Sequence, residues 1–215
     1  VCSSDLPGPN ITQRVVSAGA PADMLLLAVA PEKLVGLSSF DLSRQTAIPF
    51  HDDIRALPKL GRLAGRASTL SLEALLALKP DLVVDCGNAD ETWLSQARQV
   101  SAQTHIPWLL INGELRHTPE QLHAAGEALG VVSRTAMQAA LARRFIDNAI
   151  AFSHTAAANL RFYAARGARG LETGLQGSLH TEAAELLGLQ NVAHIPGRQG
   201  LTQVSMENLD RKSVV

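Results

Sequence analysis

The sequence predicts an α/β fold in which two parallel-sheet lobes are joined by one long helix, with the second lobe truncated. Strand-like and helical segments alternate over residues 11–130, and this alternation is typical of a parallel sheet covered by helices. An uninterrupted helical pattern over residues 131–159 then predicts a connecting helix. Strand character resumes after it, so residues 160–209 are expected to form a partial C-terminal lobe.

A short phrase that occurs twice supports two lobes of related design. Residues 71–73 read Ser-Leu-Glu, and residues 205–207 read Ser-Met-Glu. Each phrase has the composition of a helix start, with a serine cap, an apolar residue and a glutamate in the first turn. Two copies so far apart favour a bilobal binding protein over a single catalytic domain. Each lobe would present one glutamate, Glu73 or Glu207.

Local signals justify the elements of the first lobe. Pro21 suits the first turn of a helix, and the Thr-Pro-Glu-Gln motif at residues 118–121 is a capping box. The near-continuous apolar run at residues 81–85 is typical of a parallel strand covered on both faces. Residues 41–70, with their prolines and glycines, are predicted to be a loop. The strands are expected at residues 14–18, 34–38, 81–85 and 107–111, and the helices at 21–30, 71–79, 90–104 and 118–130.

The long helix carries one regular apolar face. It is expected to run from a cap at Ser133 to about Asn159, well beyond the usual length of about 11–12 residues. Two interpretations stay open: an ordinary core helix that buries this face, or a rigid strut between two lobes. After it, a strand is expected at residues 160–164, a helix at 181–187 and a further helix start at Ser205. The apolar face is formed by Met137, Leu141, Phe145, Ala149 and Phe152, which recur at helical spacing.

The two ends of the chain, residues 1–6 and 210–215, look like translated sequencing-library adapters. The chain is therefore expected to be a fragment of a longer reading frame, and Cys2 is not interpreted as a lipid-modified N-terminal cysteine. A missing N-terminus would also account for the missing signal peptide. Cys86, at the end of a buried-looking strand, is then the one credible native cysteine, so cysteine usage does not indicate a compartment.

Composition argues against nucleic-acid binding and against a membrane-spanning helix. The 215 residues carry a formal net charge of −1, and the isoelectric point near 6.7 indicates no basic surface for nucleic acid. No window of the sequence approaches the run of about 18 apolar residues that a membrane-spanning helix needs. The hydrophobic fraction of 46% is sufficient for a buried core.

Three phrases, in order along the chain, carry a resemblance to a known family. The phrases are residues 14–17 with 34–40, residues 71–84, and residues 188–193 with 203–207. Together they resemble the substrate-binding proteins of ABC importers for cobalamin, haem and iron–siderophore complexes, the helical-backbone metal-receptor type. The resemblance covers nearly the whole chain.

The resemblance implies a fold, a location and a mode of action. In that family two α/β lobes are joined by one long helix, and the ligand sits in the cleft between them. A monomeric periplasmic protein is implied, or one lipid-anchored at the outer face of the cytoplasmic membrane. Such a protein is no enzyme, has no cofactor of its own, and passes its ligand to an ABC importer permease. The expected ligand is a ferric siderophore, with cobalamin or haem as alternatives.

The resemblance also assigns a role to the two repeated glutamates. In the family, the matching glutamates lie at the tips of the two lobes and pair with arginines of the permease. Glu73 and Glu207 are therefore expected to dock the protein. The alternative is that each carboxylate only interacts favourably with the dipole of its helix, which is worth about 0.3–1 kcal/mol.

Aromatic and basic residues supply the candidate ligand contacts. Phe40 and Tyr163 follow predicted strands, and such loops border the binding crevice of α/β sheets; family members present aromatic contacts at matching positions. Guanidinium groups suit anionic chelates because they bind carboxylates and phenolates bidentately. The alternatives are that Phe40 belongs to the core and that Arg166 and Arg169 are solvated loop charges. The candidates are Phe40, Arg62, Arg66, Tyr163, Arg166 and Thr173.

Signals for metal binding and catalysis are weak. The seven histidines form no His-x-x-x-His pair, and the His-Asp-Asp triplet at residues 51–53 is interpreted as a solvated loop. The sequence has no Gly-x-Ser-x-Gly elbow.

Two other classes of protein stay open. A cofactor-handling domain of the nitrogenase-like type would need cysteines to hold a cluster, and a module for a bare metal ion would need several His, Asp or Glu side chains to converge.

Overall fold

The computed structural model describes residues 6–44, 50–63, 68–87, 89–155 and 160–207. It divides into two compact units: unit 1 comprises Val1–Gly113 and His117–Ala140, and unit 2 comprises Glu114–Arg116 and Leu141–Val215. Both units contain helices and strands, so the predicted α/β class is confirmed. No helix in the described part of the chain is both long enough and apolar enough to cross a membrane.

Unit 1 is built on a parallel sheet of four strands, in the order β2-β1-β3-β4. The strands are β1 (Val15–Ser17), β2 (Leu34–Gly36), β3 (Leu82–Gly87) and β4 (Trp108–Asn112). All four agree with the sequence-based prediction to within two residues at either end. Val83 and Val84 point to opposite faces of the sheet and are both fully buried, which explains why the apolar run shows no alternation.

The predicted helices of unit 1 begin within one residue of the expected positions, and a further short helix at residues 52–55 lies in a segment predicted to be a loop. The described helices are α1 (Ala20–Val29), α2 (Asp52–Arg55), α3 (Leu72–Ala77), α4 (Glu91–Thr104) and α5 (Thr118–Leu129). Ser71 caps α3, because its Oγ accepts the N–H of Ala74 at 3.1 Å, and Asp90 caps α4 in the same manner. The capping box predicted for α5 is wrong by one residue: Thr118 is already helical and His117 takes the cap position.

The segment predicted as a loop between residues 41 and 70 is partly ordered. Within it, α2 forms a single helical turn, and Leu37 bridges to Lys59 in parallel register. The backbone of Leu37 donates to the carbonyl of Pro58 at 2.9 Å and accepts from Leu60 at 2.7 Å. The stretch around Lys59 therefore continues the sheet beyond β2, which no periodic pattern in the sequence indicates.

The phrase Lys-Pro-Asp at residues 79–81 has a structural role at the start of the sheet. The carboxylate of Asp81 accepts the backbone N–H groups of Gln13 and Arg14, both at 2.8 Å. The guanidinium of Arg14 in turn donates to the carbonyl oxygens of Leu78 and Lys79, at 2.8 and 3.3 Å. These bonds satisfy the end of α3 and fix the entry to β1.

The long helix α6 (Val132–Ser153) is continuous across the boundary between the two units. Two of its side chains cap the last turn of α1. Arg134 donates to the carbonyl of Val29 at 2.7 Å and pairs with Glu32 at 3.0 Å, and Gln138 donates to the carbonyl of Ala28 at 2.7 Å. The helix ends at Ser153, and the predicted end near Asn159 lies outside the described residues.

The apolar face of α6 is exposed. Met137 is 72% exposed, Phe145 65% and Leu141 48%. The buried positions of the helix are instead Thr135 and Ala139, both small. The interpretation of α6 as a core helix that buries its apolar stripe is therefore wrong for the described structure, because the contact with unit 1 is made through small residues and not through the large apolar ones.

Unit 2 contains the C-terminal part of α6, two pairs of short strands and one further described helix. Its elements are β5 (Arg161–Phe162), β6 (Glu172–Gly174), α7 (Glu182–Leu186), β7 (Gln190–Asn191) and β8 (Leu201–Gln203). The predicted strand and helix correspond to β5 and α7. The strands β5 and β7 pair in parallel, as a parallel lobe requires, whereas β6 and β8 form an antiparallel pair that the sequence analysis does not anticipate. Residues 206 and 207 have helical geometry, and the residues after them lie outside the described part of the chain.

Buried polar side chains hold unit 2 together. Asn191 is buried and donates through Nδ2 to the carbonyl of Gly174 at 3.0 Å and to Glu185 at 3.1 Å. Thr181 donates to the carbonyl of Leu175 at 3.1 Å, also in the interior. Because buried polar groups are costly unless they are hydrogen-bonded, these bonds fix α7 against the neighbouring strands.

Candidate functional site

The carboxyl ends of the four parallel strands of unit 1 meet at one edge of the sheet. In α/β proteins ligands bind outside this edge, where the loops after the strands converge. Here the end of β3 is in close contact with the residue that follows β4: the N–H of Gly113 donates to the carbonyl of Gly87, the last residue of β3, at 2.7 Å. A Cβ atom at residue 113 would lie 2.8 Å from the Cα of Gly87, so this close approach requires glycine at residue 113.

Phe40 follows β2 at this edge of the sheet. It is half-buried and does not belong to the buried core. Its backbone N–H lies 3.4 Å from the carboxylate of Asp23, which also accepts from Ser38 and Ser39. The position of Phe40 is therefore set by a buried acid in the first turn of α1.

Asp85 and Cys86 lie near the carboxyl end of β3 and are both buried. Burial raises the pKa of Asp85 to about 6, partly offset by the N–H that Cys86 donates to it at 2.9 Å. Burial, together with the nearby charge of Asp85, raises the pKa of the Cys86 thiol to about 11. The thiol therefore stays protonated at neutral pH and is a poor nucleophile. No motif in the sequence singles out Asp85, whose one signal is that it is a carboxylate within an apolar strand.

Arg166 lies on a tight hairpin of unit 2 and has two side-chain partners. Its Nε donates to Glu172 at 3.3 Å, and its Nη1 lies 2.9 Å from Nδ1 of His180. A guanidinium has no acceptor, so His180 accepts this bond as a neutral imidazole with its proton on Nε2. Burial and the charge of Arg166 lower the pKa of His180, and Glu172 opposes them.

A small open cavity of about 170 Å³ lies beside this hairpin. Arg166, Arg169, Glu172 and Gln203 contribute polar groups to its lining. Its volume is below the roughly 300–1,000 Å³ of pockets for drug-sized ligands. By itself it could take only part of a bulky chelate, such as one carboxylate or phenolate group.

The other predicted ligand contacts in unit 2 have structural roles. Tyr163 is half-buried, and its hydroxyl donates to the carbonyl of Gly170 at 2.8 Å, which closes the hairpin loop. Thr173 is fully buried within β6, and its Oγ1 lies 3.4 Å from the carbonyl of Gly174. Its side chain is therefore inaccessible in this structure, so the predicted ligand contact of Thr173 has no support from the geometry.

Three of the remaining four predicted residues lie at the surface of their units. Arg62 is exposed, and its backbone N–H donates to Oγ1 of Thr69 at 2.9 Å. Arg66 lies outside the described residues. Glu73 is exposed in the first turn of α3, and Glu207 is exposed next to the helical start at Met206.

The His-Asp-Asp triplet at residues 51–53 is exposed at the start of α2, as its interpretation as a solvated segment requires. In the parts of the chain that the structure describes, no group of three or more His, Cys, Asp or Glu side chains could hold a metal ion.

Solved structures with a similar fold are found for this chain, whereas comparisons of its sequence give no match. No protein-family model matches the chain, and no curated relative does. An ABC transporter solute-binding protein from Sulfurospirillum deleyianum DSM 6946 superposes on 94% of the chain, with a TM-score of 0.81 and 23% identity. The chain spans only 64% of the length of that protein.

Two further solved structures resemble the chain at lower identity. The periplasmic vitamin B12-binding protein BtuF of Vibrio cholerae gives a TM-score of 0.72 and 17% identity, over 96% of the chain and 74% of BtuF. The periplasmic haem-binding protein RhuT from Roseiflexus sp. RS-1, in its apo form, gives 0.66 and 20%, over 94% of the chain and 73% of RhuT. At these identities the likeness shows the fold, so this chain folds as the solute-binding proteins of ABC transporters do.

Proposed function

We propose that this protein is the substrate-binding component of an ABC importer, which captures a metal chelate outside the cytoplasm and delivers it to a permease. The observation that carries the proposal is the fold that the chain shares over nearly its whole length with solute-binding proteins, including ones that bind vitamin B12 and haem. In this function the protein binds and releases its ligand and catalyses no reaction.

The proposed ligand is a ferric siderophore, bound by aromatic faces and guanidinium groups rather than by bonds from the protein to the metal. Phe40 would supply apolar area, and Tyr163 would support the hairpin that presents Arg166. Arg166 has five N–H donors, and its bonds to Glu172 and His180 use two of them. The others remain to bind an anionic group of the chelate, and Arg62 is a further proposed contact. Cobalamin and haem are the alternative ligands.

Calorimetry with a panel of ferric siderophores, haemin and cyanocobalamin tests the proposed ligand. Arg166→Ala should weaken binding of an anionic chelate by about 1.5–3 kcal/mol, the range for hydrogen bonds to charged groups. It should leave binding of cyanocobalamin nearly unchanged. Arg98→Ala is the matched control, because Arg98 forms a comparable exposed pair with Glu91 at 3.2 Å on α4.

Different outcomes test the identity of the ligand and the class of the protein separately. Tight binding of cyanocobalamin alone, insensitive to Arg166, would reject the siderophore and keep the importer. Equal loss of affinity in the Arg166 and Arg98 variants would remove Arg166 from the site. A protein that binds no member of the panel would contradict the proposed function.

A further inference from the structure

The carboxylate of Asp23 is fully buried and receives four hydrogen bonds from one short segment. Oδ1 accepts the N–H of Ser38 at 2.8 Å. Oδ2 accepts the hydroxyl of Ser38 at 3.0 Å, the N–H of Ser39 at 2.9 Å and the N–H of Phe40 at 3.4 Å. The exposed fraction of Asp23 is 0%, so no solvent competes for these bonds.

These bonds join two elements that are distant in sequence. Asp23 lies in the first turn of α1, whereas residues 38–40 follow β2 at the carboxyl edge of the sheet. Leu37 is still part of the sheet, because it exchanges backbone hydrogen bonds with Pro58 and Leu60. From Ser38 onwards the chain leaves this pairing and wraps around the carboxylate.

Burying a charged carboxylate is costly unless its oxygen atoms are satisfied by donors. At Asp23 the donors are three consecutive backbone N–H groups and one hydroxyl. Any displacement of residues 38–40 would lengthen several of these bonds together. The carboxylate therefore holds the backbone of this segment in one conformation, and with it the direction in which Phe40 leaves the chain.

We propose that Asp23 is a positioning residue: it fixes the backbone at Ser38–Phe40 and thereby holds Phe40 in place to contact the ligand. This inference rests on the proposed function, in which Phe40 supplies an aromatic face to a metal chelate. Asp23 itself does not touch the ligand, because it is buried beneath the segment that it holds.

The first test needs no ligand. Amide hydrogen exchange, measured by NMR on the whole chain, should be about tenfold or more faster at Ser38, Ser39 and Phe40 in Asp23→Asn, after correction for any change in global stability. The control is Asp81→Asn, which also removes a carboxylate that accepts two backbone N–H groups of unit 1, from Gln13 and Arg14. This control should leave the rate of amide exchange at residues 38–40 unchanged. Equal exchange at residues 38–40 in the Asp23 and Asp81 variants would overturn the proposal.

The second test measures coupling to Phe40. The probes are haemin and the ferric siderophore that the wild-type protein binds most tightly. Asp23→Asn and Phe40→Ala should each weaken binding about tenfold, and the double variant should be no weaker than the single ones, because both remove the same contact. Additive losses, about a hundredfold in the double variant, would show that Asp23 acts on binding independently of Phe40.

A milder variant covers the case in which Asp23→Asn does not fold. Ser38→Ala removes one of the four donors and should give an intermediate acceleration of exchange at Ser39 and Phe40; no acceleration would overturn the proposal. A wild-type protein that binds no probe would contradict the proposed function. The exchange experiment would still decide whether Asp23 holds Phe40.

Discussion

At the scale of single residues, Asp85 and His180 both have a pKa that is shifted toward the neutral form. Asp85 is buried in a strand with one hydrogen bond to its carboxylate, and its pKa is raised to about 6. His180 accepts a hydrogen bond from Arg166, and its pKa is lowered. Folding therefore favours the neutral form of both groups. The charged form of Asp85 lowers the stability of the folded protein at high pH, and the charged form of His180 lowers it at low pH.

We predict that Asp85→Asn stabilises the protein at pH 8 and not at pH 4. The pKa of Asp85 is about 6 in the folded protein and 3.8 as its ordinary value, so the folded state binds more protons between these values. The contribution of Asp85 to stability is present below pH 3.8 and is lost as the pH rises through about 6. The Asn side chain carries no charge at either pH, so the variant avoids this loss of stability, which is on the order of 1–3 kcal/mol.

Urea unfolding at pH 4 and pH 8 measures this effect. Asp52→Asn is the control, because Asp52 is an exposed carboxylate of the same unit. A variant of Asp85 that is destabilised at pH 8 would show that the charged carboxylate has a favourable partner and that burial does not dominate.

At the scale of elements, the packing of α5 against α6 depends on one glycine. Gly126 lies on α5 and faces Thr135 of α6; a Cβ atom at residue 126 would lie 2.0 Å from Oγ1 of Thr135 and 3.0 Å from its Cβ. Thr135 is fully buried and cannot turn out to solvent. The two helices therefore approach as closely as they do only because residue 126 has no side chain.

Gly126→Ala should destabilise unit 1 by about 1–3 kcal/mol through overpacking. In an ordinary helix the same change would stabilise by roughly 0.5–1 kcal/mol, so the sign of the effect is diagnostic. Denaturant unfolding gives the free energy. Gly8→Ala is the control, since a Cβ atom there would meet only Ile11 at an ordinary 3.8 Å. A Gly126 variant as stable as the wild type would show that α6 can shift away at little cost.

The exposed stripe of α6 leads to a second prediction at this scale. Phe145→Gln should change the free energy of unfolding by less than about 0.5 kcal/mol, because Phe145 is 65% exposed. Leu129→Ala should cost about 2–5 kcal/mol, since Leu129 is fully buried at the end of α5. Chemical denaturation of the two variants compares them directly. A large loss for Phe145 would mean that the stripe is covered by other protein in solution.

The elements were predictable from the sequence to the extent that local chemistry decides them. Ser71 and Asp90 cap their helices, and the unbroken apolar run of β3 is buried on both faces, as expected. The face that α6 buries was not predictable, because helical periodicity identifies an apolar stripe and cannot tell whether anything covers it. The contact is instead made through Thr135 and Ala139, whose small size is a weak signal in one sequence.

The candidate site was predictable only in part, because hydrogen-bond partners are set by the tertiary fold. Phe40 lies at the carboxyl edge of the sheet, where a residue that follows a parallel strand must lie. The burial of Thr173 depends on the antiparallel pairing of β6 with β8, which has no local signature. His180 lies 14 residues from Arg166, and Ser38 lies 15 residues from Asp23, so no spacing rule indicates these partners.

At the scale of the whole molecule, the two exposed glutamates test the proposed transport function. Glu73→Ala and Glu207→Ala should leave ligand affinity nearly unchanged and impair uptake, in a full-length protein with its cognate permease. Substitution by Lys should impair uptake further, because a cation would repel the arginines expected on the permease. The loss for an interfacial charge pair is typically about 2–5 kcal/mol when the pair is buried and much less at a rim.

Calorimetry for the ligand and a transport assay in proteoliposomes separate the two effects. Glu127→Ala provides a matched change of charge at an exposed position on α5. If either glutamate variant lost ligand affinity while transport per bound ligand stayed normal, the glutamate would belong to the ligand site and the docking role would be wrong.

The helix α1 is held at both of its ends by hydrogen bonds to other parts of unit 1. Asp23 in its first turn holds the segment that carries Phe40, and the carbonyls of Ala28 and Val29 in its last turn are held by Gln138 and Arg134 of α6. With ten residues, α1 is about 15 Å long. The backbone around Phe40 and the first turns of α6 are therefore anchored to opposite ends of one short helix.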